Sequence, residues 1–255
     1  EATPLTCQTH PRFTEDYGPF AERALSAACP AANARLLGSR EPLGFRESET
    51  GEPGEEGDEW LPYLVPFRRR LFEALRDRSR PLRARLADFL TLCLLGDAVL
   101  AEAELEGTAP EDLLTLEGGT LEGELPEEGI FPAGFRLLAS LEVLEPDWRD
   151  VLREAETAAP VPQDEALLER IATYFAYRSV LKCVNDGDLL GRGLYTVFLT
   201  LAAERIAAVR GLGEALRRLS REVEHDADNV EALLTAFRED GAFDVGCFLW
   251  ELRNS

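Results

Sequence analysis

Methionine is absent from this chain of 255 residues, lysine occurs once, at Lys182, and histidine twice, at His10 and His225. No apolar run approaches the ~18 residues that a membrane span requires, and no signal peptide is expected from the opening residues. Alternating β patterns longer than a few residues are also missing, which predicts an all-α protein. The glycine-rich stretch "EGGTLEGE" at 117–124 follows no strand and lacks nucleotide-cradling spacing, which argues against a Rossmann-type methyltransferase or dehydrogenase. No Ser-His-Asp or Cys-His order points to a nucleophilic hydrolase. Five cysteines, Cys7, Cys29, Cys93, Cys183 and Cys247, form no regular framework. Three of them sit in apolar helical patterns and read as small core residues. The odd count and the lack of a leader lead to the expectation of a reducing, cytoplasmic setting. The chain starts at Glu1 in what looks like mid-motif, so a trimmed piece is expected.

What is present is acid. The formal charge is −21, spread along the whole length, and arginine supplies all but one of the 27 basic side chains. Such a polyanion repels nucleic acid and anionic lipid, because phosphate binding relies on Lys and Arg releasing counterions. It attracts a lysine-bearing protein surface instead. Hydrophobic residues at 45% match an ordinary globular composition, and the length suffices for a real core. A solvated exterior accounts for most of the charge.

Residues 1–43 form a turn-rich segment carrying Cys7, His10 and Cys29. His10–Pro11 cannot continue a helix, since proline drives its predecessor toward extended geometry. Pro30 occupies a first helical position, with Ala31–Leu37 after it and Gly38 as the stop. Residues 44–59, "GFRESETGEPGEEGDE", offer almost nothing to bury and read as an acidic flexible linker. The middle region, 60–158, shows helical stripes: Phe67, Leu71, Phe72 and Leu75, then Leu82, Leu86, Phe89, Leu90 and Cys93. Residues 106–132 hold at most a short helix, and two short helices are predicted at 134–144 and 146–156. After the joint "APVPQ" at 159–163, Asp164 caps a C-terminal bundle over 164–255, with helices near 165–185, 189–210, 212–226, 228–239 and 243–253.

Two constellations carry polar chemistry on apolar helices. In "YFAYRSVLKCVNDGDLLGR", 174–192, Tyr174, Arg178 and Lys182 share one face at spacings of four. The surrounding apolar residues predict burial, so Arg178 requires a carboxylate or carbonyl partner. Asp186, Asp188, Glu222 and Glu224 are the candidates. Asp186-Gly187 also reads simply as a helix end, and Asp188 as the cap of the next helix. In "SREVEHDADN", 220–229, Glu222, His225 and Asn229 line one face if the helix is continuous, while Asp228 is an alternative cap. That Glu/His face suits metal only with a second such helix, and no other histidine lies in this half. Cys7-x-x-His10 has zinc-ligand spacing but too few partners to complete a site.

Taken in order, four stretches resemble the flagellin lysine N-methylase family: "TCQTHPRF" with "ALSAACPAANARLL", "FRRRLFEALRDRSRPLRARLADFLTLCLL", "YFAYRSVLKCVNDGDLL" and "SREVEHDADNVEALLTAF". The resemblance implies methyl transfer from S-adenosylmethionine to lysine ε-amines of flagellin, in a protein holding a cysteine-bound iron–sulfur cluster. On that basis Cys7 and Cys29 match family cysteines, while further ones lie upstream of Glu1, so the cluster is expected to be incomplete in this chain. Tyr174, Tyr177, Arg178, Asp186, Asp188, Glu222 and His225 become candidate pocket residues, with carboxylates orienting the ammonium and a tyrosine or water chain removing its proton. The competing expectation is a non-enzymatic cysteine-cluster helical scaffold that docks a partner.

Overall fold

The computed structural model describes residues 11–49, 54–119 and 129–254. Strands β1 (Arg12–Asp16) and β2 (Ala21–Leu25) pair antiparallel, with Phe13 opposite Ala24 and Glu15 opposite Glu22. This hairpin lies within the segment read as turn-rich. Its period is hidden because the inward positions include Glu15 and Glu22, so alternation of burial is not alternation of polarity. Gly18 closes the turn at φ +87°, a conformation that costs glycine nothing.

The rest is helical, in agreement with the all-α expectation. Helix α1 (Pro30–Leu37) has proline in its first turn and Cys29 at its N-cap. Helices α2 (Leu61–Arg76) and α3 (Leu82–Glu106) bury both predicted stripes. A short 3-10 turn, Glu111–Leu114, precedes α4 (Phe131–Ser140) and α5 (Trp148–Thr157). Asp164 accepts from the Ala166 amide and starts α6 (Glu165–Ser179). A 3-10 turn at Val180–Lys182 and one helical turn at Cys183–Asp186 then lead into α7 (Leu189–Arg210). Helix α8 (Leu212–Leu219) runs directly into a π-helical turn, Ser220–Glu224. Asp226, not Asp228, caps α9 (Ala227–Glu239), and α10 (Val245–Asn254) ends the described chain.

Helix α7 is the hub, with α3, α5, α6, α8, α9 and α10 packed around it. Burial on all sides matches its uncharged run from Gly193 to Ala203. It crosses α3 closely at Gly193, where a Cβ would lie 2.8 Å from that of Cys93. One apolar cluster extends from Tyr17 to Leu252, so the hairpin, the middle helices and the C-terminal helices share a single core. Each Leu or Phe fully buried there contributes roughly 1.5–3 kcal/mol. Residues 50–53 of the acidic segment lie outside the described residues. Its flanks pack: Phe45 stacks on Tyr177 at 4.6 Å, and the Glu55 amide donates to the Gly18 carbonyl at 3.0 Å. Among the described residues no helix is long and apolar enough to cross a membrane.

Candidate functional site

At the C-terminal end of α6, Tyr174 and Arg178 join the helix to the π-helical turn and to the segment around the hairpin. Arg178 pairs with Glu224 at 2.6 Å, with 13% and 3% of the two side chains exposed. Its guanidinium also donates to the Tyr174 hydroxyl at 2.7 Å and lies 3.7 Å from the centre of the Phe13 ring. The same hydroxyl accepts from the Ala27 amide at 3.1 Å and donates to Glu224 at 2.9 Å. Burial alone would lower the Arg178 pKa, but the Glu224 charge and the Tyr174 hydroxyl outweigh it and raise it. Burial, followed by the Glu224 charge, lifts the Tyr174 hydroxyl well above its ordinary range. Tyr174 is therefore a fixed donor at neutral pH, not a proton carrier.

Further contacts complete this latch. Lys182 pairs with Glu15 of β1 at 2.8 Å, and Arg68 of α2 holds Glu22 of β2 through both guanidinium nitrogens. Tyr177 rests against Phe45, with its hydroxyl directed to the Arg23 carbonyl at 3.4 Å. His225 contacts the Ser26 hydroxyl through Nε2 at 3.0 Å and packs beside Phe13. His10 and Cys7 lie outside the described residues.

Glu222 has another task. Its two carboxylate oxygens accept the amides of Leu144 and Glu145, at 2.8 and 2.9 Å. Asn229 adds bonds to both the amide and the carbonyl of Glu142 and to the carbonyl of Glu222. The Glu/Asn pair thus clamps the loop between α4 and α5. The helix is not continuous here: the π-helical turn adds a residue, and Glu222 and His225 reach different neighbours.

The acid pair sits elsewhere. Asp186 and Asp188 line a cleft of about 520 Å³ between α3, the start of α7 and the α9–α10 corner. Tyr174, Tyr177 and Arg178 do not line it, which corrects the expectation of one shared pocket. The 3-10 turn after Ser179 redirects the chain, so the aromatic residues face the hairpin while the carboxylates reach the cleft. Asp188 caps α7 by accepting from Gly191 at 2.8 Å, and Asp186 pairs with Arg192. Gly187 between them has φ +70°. Across the cleft Asp97 accepts from the Leu190 amide at 2.9 Å. Burial, and secondarily the charge of Asp188, raises its pKa against the lowering effect of that amide. Glu104 and Asp244 add acid at the rim, and Leu100, Leu194 and Phe243 form an apolar floor. The arrangement suits a cationic head on an apolar stem.

Sequence reasoning missed Asp97, although a single acid beside Gly96 in a helix otherwise uncharged from Phe89 to Leu100 was a usable signal. It also missed Arg238, which reaches back from α9 to Asp188 at 2.8 Å.

Of the two cysteines that the resemblance assigns to a cluster, Cys7 lies outside the described residues and Cys29 is described. Cys93, Cys183 and Cys247 are buried inside the bundle, and Cys29 is half-buried at the start of α1. Among the described residues no three Cys, His, Asp or Glu side chains gather as a metal set. Burial pushes the Cys183 thiol up to about 12, which leaves it an inert core residue. No family model, curated protein or solved structure matches this chain.

Proposed function

We propose that the protein is a cytoplasmic protein-lysine N-methyltransferase that acts on flagellin or a similar lysine-bearing surface protein, with S-adenosylmethionine as donor. Two things support this reading: the ordered resemblance of four stretches to the flagellin lysine N-methylases, and the acidic, apolar-floored cleft at one of them. The observation that carries it is the convergence of Asp97, Asp186 and Asp188 on that cleft. Its volume falls within the ~300–1,000 Å³ typical of small-ligand sites.

A lysine side chain brings an apolar stem and an ammonium of pKa ~10.4. The floor takes the stem and the carboxylates take the head. The field that gathers the ammonium also favours its charged form, so the proton needs a specific acceptor. Asp97, whose affinity for a proton is raised by burial, is that acceptor in this reading. The donor supplies an electrophilic sulfonium methyl, and its positive charge suits the same carboxylate lining.

A second reading, a non-enzymatic helical scaffold carrying cysteines, is favoured by a different observation. Tyr174, Arg178 and Lys182 of the aromatic motif are engaged in structural contacts, to the Ala27 amide, Glu224 and Glu15. Incubating full-length protein with flagellin and donor, then measuring lysine masses, separates the two. Increments of one methyl that vanish in Asp97→Asn support the enzyme. Donor-independent flagellin binding with no mass change supports the scaffold and overturns the enzyme.

A further inference from the structure

Arg238 is the sole basic side chain among the residues lining the acidic cleft. It projects from the end of α9, where one guanidinium nitrogen donates to Asp188 at 2.8 Å and another to Glu231 at 2.9 Å. Glu231 belongs to a second, shallower hollow of about 690 Å³ on the other side of α9, shared with Asp228, Glu239 and Asp240. Arg238 therefore bridges the two acidic hollows. With 41% of its side chain exposed, it is held by charge more than by packing. Asp188 is in contrast 11% exposed and already fixed by the Gly191 amide, so it stays in place whether or not Arg238 occupies it.

We propose that Arg238 is a resident competitor cation that sets selectivity at the cleft: an incoming ammonium reaches Asp188 only by displacing it. This inference rests on reading the cleft as an amine site and adds the residue that controls access. The physical basis is an exchange of partners. Arg238 on an exposed tether swings into water at low cost, because exposed ion pairs are individually weak. The displaced guanidinium also leaves Glu231 without its cation. A second positive charge beside the target lysine then gains a carboxylate in the neighbouring hollow. Weak, isolated amines are thereby disfavoured against a lysine set in a basic protein surface.

The test is equilibrium binding of two peptides to the full chain, one with a single lysine and one with adjacent lysines, for wild type, Arg238→Ala and Arg238→Lys. Arg238→Ala is expected to bind the single-lysine peptide about fivefold more tightly, and Arg238→Lys to stay near wild type. The preference for the two-lysine peptide is expected to shrink in Arg238→Ala. Thermal melting of each variant confirms an intact fold. If wild type binds and Arg238→Ala binds equally or more weakly, the competitor role is overturned while the amine cleft stands. If neither binds either peptide, the amine reading falls and this inference falls with it.

Discussion

Arg178 and Glu224 are joined twice, once directly at 2.6 Å and once through the Tyr174 hydroxyl, which accepts from the guanidinium and donates to the carboxylate. The double link makes the pair a keystone of the hairpin's seat on the helices, since the Ala27 amide and the Phe13 ring rest on the same groups.

Removing one partner of this buried pair leaves an uncompensated charge. Arg178→Ala or Glu224→Gln should each lower unfolding free energy by about 3–5 kcal/mol. The double variant Arg178→Ala/Glu224→Gln should lose clearly less than the sum. Urea denaturation of the four proteins in a cycle measures this. Additive losses would show that the two groups are not energetically paired.

At the far end of the bundle Glu214 stands between Arg217 and Arg218, hydrogen-bonded to both. The Arg217 bond above all, against a smaller opposing effect of burial, lowers its pKa from 4.5 to about 2. A carboxyl depressed on folding stabilises the native state above its unfolded pKa, and that contribution disappears as pH falls from about 4.5 toward 2. Glu214→Gln should thus cost at most about 1 kcal/mol at pH 7, as expected for a half-exposed group. The difference from wild type should vanish near pH 2. Denaturation curves at pH 7, 4 and 2.5 check the trend.

Gly187 turns the chain between Asp186 and Asp188 at φ +70°, and nothing stands within 4 Å of where a Cβ would be. The cost of Gly187→Ala is then purely backbone strain, about 1–2 kcal/mol. Gly187→Asn should be milder because asparagine tolerates this region. Both variants should bind a lysine peptide more weakly than their stability loss alone implies if the turn aims the two carboxylates at the cleft. Thermal melts alongside peptide titrations separate the two effects.

Much of this scaffold was legible in the sequence because helix signals are local. Asp164 and Asp188 cap where their position predicts, and Pro30 starts α1. What escaped was whatever depended on partners distant in sequence. The hairpin hides its period by turning glutamates inward toward Lys182 and Arg68, which no reading of 12–25 alone reveals. Four carboxylates competed for Arg178, and the choice of Glu224 over Glu222 follows from a single π-helical turn at 220–224. A regular 3.6-residue period cannot show that insertion. The acid pair was visible, but Asp97, which shares the cleft with it, lies 89 positions before Asp186 and is brought there by the packing of α3 on α7.

Asp97 therefore offers the sharpest separation between catalysis and architecture. Its carboxyl has a raised pKa, mainly from burial. For such an acid the folded state loses stability as pH rises through that pKa, because ionisation is easier in the unfolded chain. Asn at this position removes the charge yet keeps an oxygen to accept from the Leu190 amide. Asp97→Asn should accordingly match or slightly exceed wild-type stability at pH 7. Methyl transfer to lysine should nonetheless fall by about 10²–10⁴, the usual contribution of a positioned proton acceptor. In the wild type, kcat/KM should carry an acidic limb above the ordinary aspartate value of ~3.9, and the residual activity of the variant should lack it. A variant that melts like wild type and keeps its activity would instead make Asp97 a brace for the first turn of α7. Because the amide contact survives the substitution, a brace predicts almost no change, whereas a proton acceptor predicts near-complete loss.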